Sequence, residues 1–191
     1  MKQIAIIGLS TTWGDAPANA PDWEAWGLGN DPRHCLYDKI FEIHTLESLN
    51  ERERKRVERQ LVELKDRIVT RENFPFKEIE EFWPHGLDST IAYMLAQAML
   101  EVNGYPHKIG IWGVDMASDD EYACQRENML KLLGYAEGAG FNVWVHPKSK
   151  LHLPKRYYPC KAENDAVDPD FLPENNPRPF RLTKVHFLRP Q

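Results

Sequence analysis

Short apolar runs alternate with longer amphipathic segments over the first 147 residues. The runs predict buried strands, because they are short and end at small or polar residues; they occupy positions 4–7, 24–29, 39–44, 68–70, 109–114 and 142–145. The amphipathic segments at 46–67, 89–102 and 121–138 predict helices. In the first of these segments an apolar stripe is formed by Val57, Leu61, Leu64 and Ile68. This alternation predicts an α/β fold, with a mainly parallel Rossmann-like sheet and helices on both faces.

The distribution of charge divides the chain into two parts near Pro147. Residues 1–147 hold 24 acidic and 15 basic residues, whereas residues 148–191 hold 5 acidic and 9 basic ones with 7 of the 14 prolines. The sequence therefore predicts a folded domain at 1–147 and an extended basic, aromatic arm at 148–191. Basic residues interleaved with aromatic ones can hold single-stranded nucleic acid or a phosphorylated ligand. The acidic body favours the alternative, an arm that wraps its own domain or a sister subunit in a homodimer.

Composition excludes several classes of protein. A net charge of −5 argues against bulk attraction to nucleic acid. No run approaches the roughly 18 apolar residues of a membrane span, so no membrane partner is expected. Three widely spaced cysteines and the absence of a secretory signal pattern predict a protein of the reducing cytoplasm.

Candidate ligand-binding residues follow the predicted strands. Loops converge at the carboxyl ends of open parallel sheets, and ligands bind among them. The loop after the first strand offers N–H groups and hydroxyls suited to phosphate or ribose oxygens, or else it is a turn of small residues. Ser89 and Thr90, at a helix start, are candidates for anion contact, with helix capping as the alternative. The residues at the strand ends are Gly8, Ser10, Thr11, Asn30, His44, Asp115 and His146.

Some of these side chains can take part in acid–base or metal chemistry. Asp115 closes an apolar strand, where a carboxylate needs a partner or a ligand. His44 and His146 are candidate general bases by position, and hydrogen-bonded structural histidines otherwise. The acidic run at 119–121 can coordinate Mg²⁺ on a bound nucleotide, or simply begin a solvated helix. The sequence makes no cofactor certain, and no His or Cys spacing indicates a metal held by the protein alone.

Residues 89–125 hold a set of short motifs that resembles a pattern in known families. It consists of STIAYMLAQAM, a Gly-Tyr pair, KIGIWGVDM and EYA. The pattern resembles bacterial sialyltransferases that use CMP-sialic acid, and is similar to flagellin-modifying motility accessory proteins and archaeal-type 6-hydroxymethylpterin diphosphokinases. The opening, with IAIIGLSTTW and PDWEAWGLGND, resembles small phage-encoded Rossmann-like proteins of unassigned activity, whose setting is the host cytoplasm. The resemblance spans residues 3–147.

This resemblance implies a nucleotide-binding domain at residues 1–147. It implies that the hydroxyl of Tyr122 lies on a phosphate of the leaving group, and that Asp115 lies beside the nucleotide. Residues implied to contact the phosphates, the sugar or the ribose are Gly8, Ser10, Asn30, Ser89 and Thr90.

Two functions remain open. The first is a small transferase that moves a glycosyl or diphosphate group from a nucleotide or nucleotide-sugar. In it, Asp115 orients the ligand, Tyr122 supports the leaving phosphate, and His44 or His146 is the base. The second is a non-catalytic nucleotide-binding or sequestering protein. It is favoured because Tyr122 runs directly into a helix, without the insertion that carries the catalytic histidine of the sialyltransferases.

Overall fold

The computed structural model describes residues 2–102, 107–116 and 120–151, without the side chains of residues 120–124. In this part of the chain six strands form one sheet: β1 (Gln3–Ile7), β2 (Glu24–Leu28), β3 (Lys39–Glu42), β4 (Ile68–Thr70), β5 (Lys108–Trp112) and β6 (Asn142–Val145). Their order across the sheet is β4-β3-β2-β1-β5-β6, and every neighbouring pair is parallel.

The strand order reverses beside β1. The strands β2, β3 and β4 follow in sequence on one side of β1, whereas β5 and β6 lie on its other side. This is a doubly wound sheet, and such sheets commonly bind their ligands outside the carboxyl ends of the two strands at the reversal. The predicted α/β class with a Rossmann-like parallel sheet is therefore confirmed.

The two faces of the sheet are covered in different ways. The helices α2 (Phe76–Phe82), α3 (Thr90–Val102) and α4 (Asp120–Gly138) cover the first face, where Ile4 and Ile109 pack among side chains of α3 such as Leu95. The second face carries Leu64, at the end of α1 (Glu51–Glu63), and irregular segments that contain Trp23. Short 3-10 helices at Thr11–Asp15 and His34–Leu36 take the place of α-helices between β1, β2 and β3.

Helix α1 is shorter than the helix predicted at 46–67. The Asn50 side chain accepts a hydrogen bond from the Glu53 N–H, and the Glu53 carboxylate accepts one from the Asn50 N–H, both at 3.0 Å. This capping box fixes the start of the helix. The predicted apolar stripe is wrong at Leu61, which is 40% exposed, because Gln60 is buried in its place. The short helix α2 was not predicted.

At the amino edge of the sheet, two lysines and two glutamates form a cyclic ion-pair network. The Lys2 ammonium contacts Glu24 at 3.0 Å and also Glu101, while Lys39 contacts Glu24 at 3.1 Å and Glu101 at 2.7 Å. Burial alone raises the pKa of each glutamate, but the hydrogen bonds they accept outweigh it, so both pKa values lie below the ordinary 4.5. The network joins the first three strands to α3.

The folded body continues past the predicted boundary near Pro147. Ser149 and Leu151 are buried, and the Ser149 hydroxyl donates to the Val114 carbonyl oxygen. From residue 152 onward the predicted arm lies outside the described residues. Among the helices described here, none is long and apolar enough to cross a membrane.

Candidate functional site

The loops that follow β1 and β5 meet where the strand order reverses. Their backbones are joined by hydrogen bonds from the Gly8 N–H to the Trp112 carbonyl, at 2.8 Å, and from the Ser10 N–H to the Gly113 carbonyl, at 2.7 Å. The buried Thr12 hydroxyl accepts a third bond, from the Gly113 N–H at 2.8 Å. The two loops therefore form one hydrogen-bonded unit at the carboxyl edge of the sheet.

Two glycines allow this close approach. A Cβ on Gly113 would lie 2.5 Å from the Gly8 carbonyl oxygen, and a Cβ on Gly8 would collide with the Gly113 carbonyl oxygen. Gly113 also has a φ of +66°, a conformation that L side chains rarely adopt. Because the loops touch, they leave no gap between them at this edge, and the side chains open to solvent lie on their outer rim.

Ser10 and Asp115 face each other on that rim. The Ser10 hydroxyl donates to Asp115 Oδ2 at 2.6 Å, and the Lys150 N–H donates to Asp115 Oδ1 at 3.1 Å. Both side chains are half-buried, so one side of the pair remains open to solvent. The structure thus brings together two of the residues that the sequence analysis selected from strands about 100 positions apart.

The backbone beside Asp115 is strained. The next residue, Met116, is buried and has a φ of +47°, in the left-handed region that a bulky side chain seldom occupies. Such conformations cost roughly 1–3 kcal/mol and cluster at functional sites. The hydrogen bond from Ser149 to the Val114 carbonyl holds the same loop from the other side.

A buried carboxylate supports the β1 loop from the end of β2. Asp31 is 0% exposed; it accepts hydrogen bonds from the Arg33 guanidinium and, at 2.6 Å, from the Tyr37 hydroxyl. Burial by itself raises the pKa of Asp31, but these bonds outweigh it and hold the pKa below its ordinary value. Burial and the neighbouring carboxylate raise the pKa of Tyr37. Arg33 also donates to the Gly8 carbonyl at 3.3 Å and lies under the Trp13 ring, 3.8 Å from its centroid.

His44 lies just beyond β3 at the same edge. Its Nδ1 is 2.6 Å from Oε1 of Glu42, and the other oxygen of Glu42 accepts a hydrogen bond from Arg56 at 2.8 Å. The hydrogen bond to Glu42 raises the pKa of His44 against the effect of burial. The Glu42 side chain is 3% exposed and that of His44 is 57% exposed.

His146, the other histidine proposed as a base, has a different environment. It is buried, its Nε2 lies 3.0 Å from Oδ2 of Asp15, and its Nδ1 accepts a hydrogen bond from the Lys148 N–H at 3.2 Å. Both ring nitrogens are therefore engaged within the protein. The arrangement fastens the segment after β6 to the 3-10 helix after β1.

The remaining predicted contact residues are spread along the carboxyl side of the sheet. Thr11 and Asn30 are exposed, after β1 and β2 respectively. The Ser89 hydroxyl accepts a hydrogen bond from the Ala92 N–H at 3.2 Å, which is a helix-capping bond, and Thr90 begins α3. The carboxyl end of α3 leads into the amino end of β5, so the amino end of α3, with Ser89 and Thr90, lies towards the carboxyl edge of the sheet.

Two predictions concern residues outside the described side chains. Tyr122 lies in α4, but its side chain is not among those described, and the same holds for the acidic run at 119–121 that was considered for Mg²⁺. Across residues 2–102, 107–116 and 125–151, no group of three or more His, Cys, Asp or Glu side chains is placed to hold a metal ion.

Several side chains at this edge were missed in the sequence. Glu42 interrupts the apolar run KIFEIH, and a charged residue inside a strand buried on both faces needs a buried partner. That signal could have identified Glu42, but not its partner Arg56, which is 14 residues away. Arg33 and Tyr37 lie in a segment without periodicity, so no sequence signal marked them.

No protein-family model, curated protein or solved structure matches this chain. The class of protein is therefore set by the fold, a doubly wound parallel α/β sheet with polar side chains gathered at its carboxyl edge.

Proposed function

We propose that the chain binds a nucleotide at the joined loops of β1 and β5 and transfers a group from it to an acceptor. The observation that carries the proposal is the hydrogen bond between Ser10 and Asp115 across the reversal of strand order. Doubly wound sheets bind their ligands at this position. A half-buried carboxylate beside a hydroxyl can accept hydrogen bonds from the hydroxyls of a ribose.

The phosphates of such a ligand fit the exposed side of the β1 loop. Thr11 is exposed there and offers a hydroxyl, and Asn30 offers an amide at the end of the neighbouring strand β2. Arg33 is occupied by Asp31 and Gly8, so its role is to hold the loop rather than to bind phosphate. A nucleotide lying along the edge would extend from β5 across β1 towards β2 and β3.

A non-catalytic nucleotide binder is the second candidate. Both oxygens of Asp115 already accept hydrogen bonds from within the protein, from Ser10 and Lys150, so this carboxylate is suited to hold a ligand rather than to remove a proton. Formation of a product from a nucleotide or nucleotide-sugar donor distinguishes the transferase from the binder.

The test is a thermal-shift titration with CMP, CDP, UDP, GMP, GTP, ADP-ribose and NAD, each with and without Mg²⁺. A nucleotide at 100 times its Kd stabilises the fold by about 2.7 kcal/mol. For a domain of this size, that raises the Tm by roughly 5–10 °C. The full chain is compared with Asp115→Asn and with Asp22→Asn, the same substitution at an exposed position near the opposite edge.

The expected result is a shift in the wild-type chain and in Asp22→Asn that is lost in Asp115→Asn. The Tm without ligand should stay close in all three chains, because in Asp115→Asn the amide oxygen can accept the bond from the Lys150 N–H while the amide NH2 donates to the Ser10 hydroxyl. An unchanged Tm across the panel, or an undiminished shift in Asp115→Asn, would contradict the proposed site.

A further inference from the structure

The side chains of Glu42 and His44 have opposite exposures although they are hydrogen-bonded to each other. Glu42 is buried at the end of β3 and His44 reaches into solvent, with 2.6 Å between Glu42 Oε1 and His44 Nδ1. The bond uses Nδ1, so Nε2 lies at the outer end of an exposed ring. A carboxylate on one ring nitrogen fixes the tautomer and makes the other nitrogen a proton acceptor.

The buried carboxylate is itself held in place. Arg56, from α1, donates to its second oxygen at 2.8 Å. Gly29 packs against it so closely that a Cβ there would lie 2.6 Å from Glu42 Oε2. The neighbouring Gln60 donates to the Gly29 carbonyl at 2.7 Å, which fixes that backbone. Packing against Gly29 and the ion pair with Arg56 therefore hold Glu42 in place, and Glu42 in turn orients His44 through the hydrogen bond to Nδ1.

The pair lies on the path proposed for the nucleotide. Strand β3 is two positions from β1, which at the usual spacing is roughly 10 Å along the edge. A nucleoside diphosphate bound at Ser10 and Asp115 would span that distance. Asn30 is exposed after β2, the strand that lies between β1 and β3. The transferred group of such a ligand would lie near His44.

We propose that His44 is the base of the transfer reaction and that Glu42 is its positioning residue, an inference that rests on the proposed function. Nε2 of neutral His44 takes the proton of an acceptor hydroxyl. The acceptor oxygen forms a bond to the transferred group, and the bond from that group to the nucleotide breaks. The electron pair of that bond leaves with the nucleotide phosphate. The Glu42 side chain accepts the hydrogen bond from Nδ1–H and so stabilises the imidazolium.

The reactivity of His44 can be measured without a nucleotide. Diethyl pyrocarbonate acylates neutral imidazole nitrogen, and mass spectrometry of peptides gives a separate rate for each histidine of the full chain. The rates are measured between pH 5.5 and 8.5 for the wild-type chain and for Glu42→Gln, with the exposed His85 as the internal reference. The charged groups that face His44 are Glu42 on β3 with Arg56 and Glu53 on α1.

The two chains should give curves for His44 that cross. Glu42→Gln removes the charge that raises the pKa of His44, so the variant should react faster than wild type at low pH. At high pH, where both rings are neutral, the variant should react more slowly, because the carboxylate that makes Nε2 more basic through the bond to Nδ1–H is gone. A loss of structure in the variant would raise the acylation rate of His44 at every pH, so the curves of the two chains would not cross.

Two results would overturn the assignment of the pair. One is a wild-type chain in which the acylation of His44 has the same pH midpoint and the same high-pH rate as that of His85. This comparison needs no variant chain. The other is a Glu42→Gln chain with an unchanged His44 curve.

The role of His44 in transfer is tested with a nucleotide that stabilises the chain in the thermal-shift titration. That nucleotide should slow the acylation of His44 and leave His85 unaffected. His44→Gln should bind it with unchanged affinity and form product about 100-fold more slowly. Full turnover by His44→Gln overturns only the role of His44. A silent nucleotide panel overturns the proposed function, and the role of His44 in transfer falls with it.

Discussion

Replacing Asp31 tests whether the carboxyl edge depends on a buried charge. Asp31→Asn preserves the shape of the side chain but removes its charge, and it leaves an amide where Arg33 and Tyr37 now find carboxylate oxygens. Breaking a buried ion pair by neutralising one partner costs about 3–5 kcal/mol. Arg33 is 19% exposed and stacked on Trp13, so part of its charge is solvated and we expect a smaller loss than for a fully buried pair, about 2–3 kcal/mol.

The measurement is the free energy of unfolding from urea denaturation of the full chain, beside Tyr37→Phe. The phenylalanine variant removes only the hydroxyl bond and should cost about 1 kcal/mol. The double variant should cost less than the sum of the two single ones, because Asp31→Asn already weakens, by removing the charge of the acceptor, the bond that Tyr37→Phe removes. A loss below about 0.5 kcal/mol in Asp31→Asn, or strict additivity, would refute the argument, since that is the size of an ordinary surface substitution.

Two further predictions concern packing and pH. Gly8→Ala should destabilise the fold by about 1–3 kcal/mol, because the added Cβ would collide with the Gly113 carbonyl oxygen. Gly14→Ala is the control and should not destabilise the fold, because the space around Gly14 is open. Urea denaturation of both variants measures the two effects, and equal effects would contradict the prediction. The free energy of unfolding should begin to fall as the pH drops below about 4.5 and should keep falling towards the lower pKa values that Glu24 and Glu101 have in the fold, because the unfolded chain binds protons at these groups first. Glu101→Gln should flatten this dependence, and a slope that the variant leaves unchanged would argue against the network as its source.

The strands could be located from the sequence because each is a short apolar run buried on both faces. All six predicted runs overlap an observed strand, and β4 and β6 match their predicted limits. The order of the strands in the sheet could not be predicted in this way, because an apolar run does not indicate which other strand pairs with it. The start of α1 was missed because a local capping box, and not the apolar stripe, decides where that helix begins.

The candidate site was only partly predictable. Position at strand ends was enough to select Ser10, Asp115 and His44, because all carboxyl ends of a parallel sheet face the same edge. What distinguishes His44 from His146 is which ring nitrogens are occupied, and that depends on side chains from other elements. Long-range pairs of this kind leave no periodic signal in one sequence.

The adjacency of β1 and β5 has a consequence for how the chain folds. Ile4 pairs with Ile109 across the centre of the sheet, so about 100 residues must be synthesised after β1 before its second neighbour exists. Closing so long a loop is slow compared with forming local contacts. Until then β1, an apolar strand, presents an unpaired edge of the kind that recruits other chains. Folding of this protein is therefore expected to be most prone to aggregation while its second half is still on the ribosome.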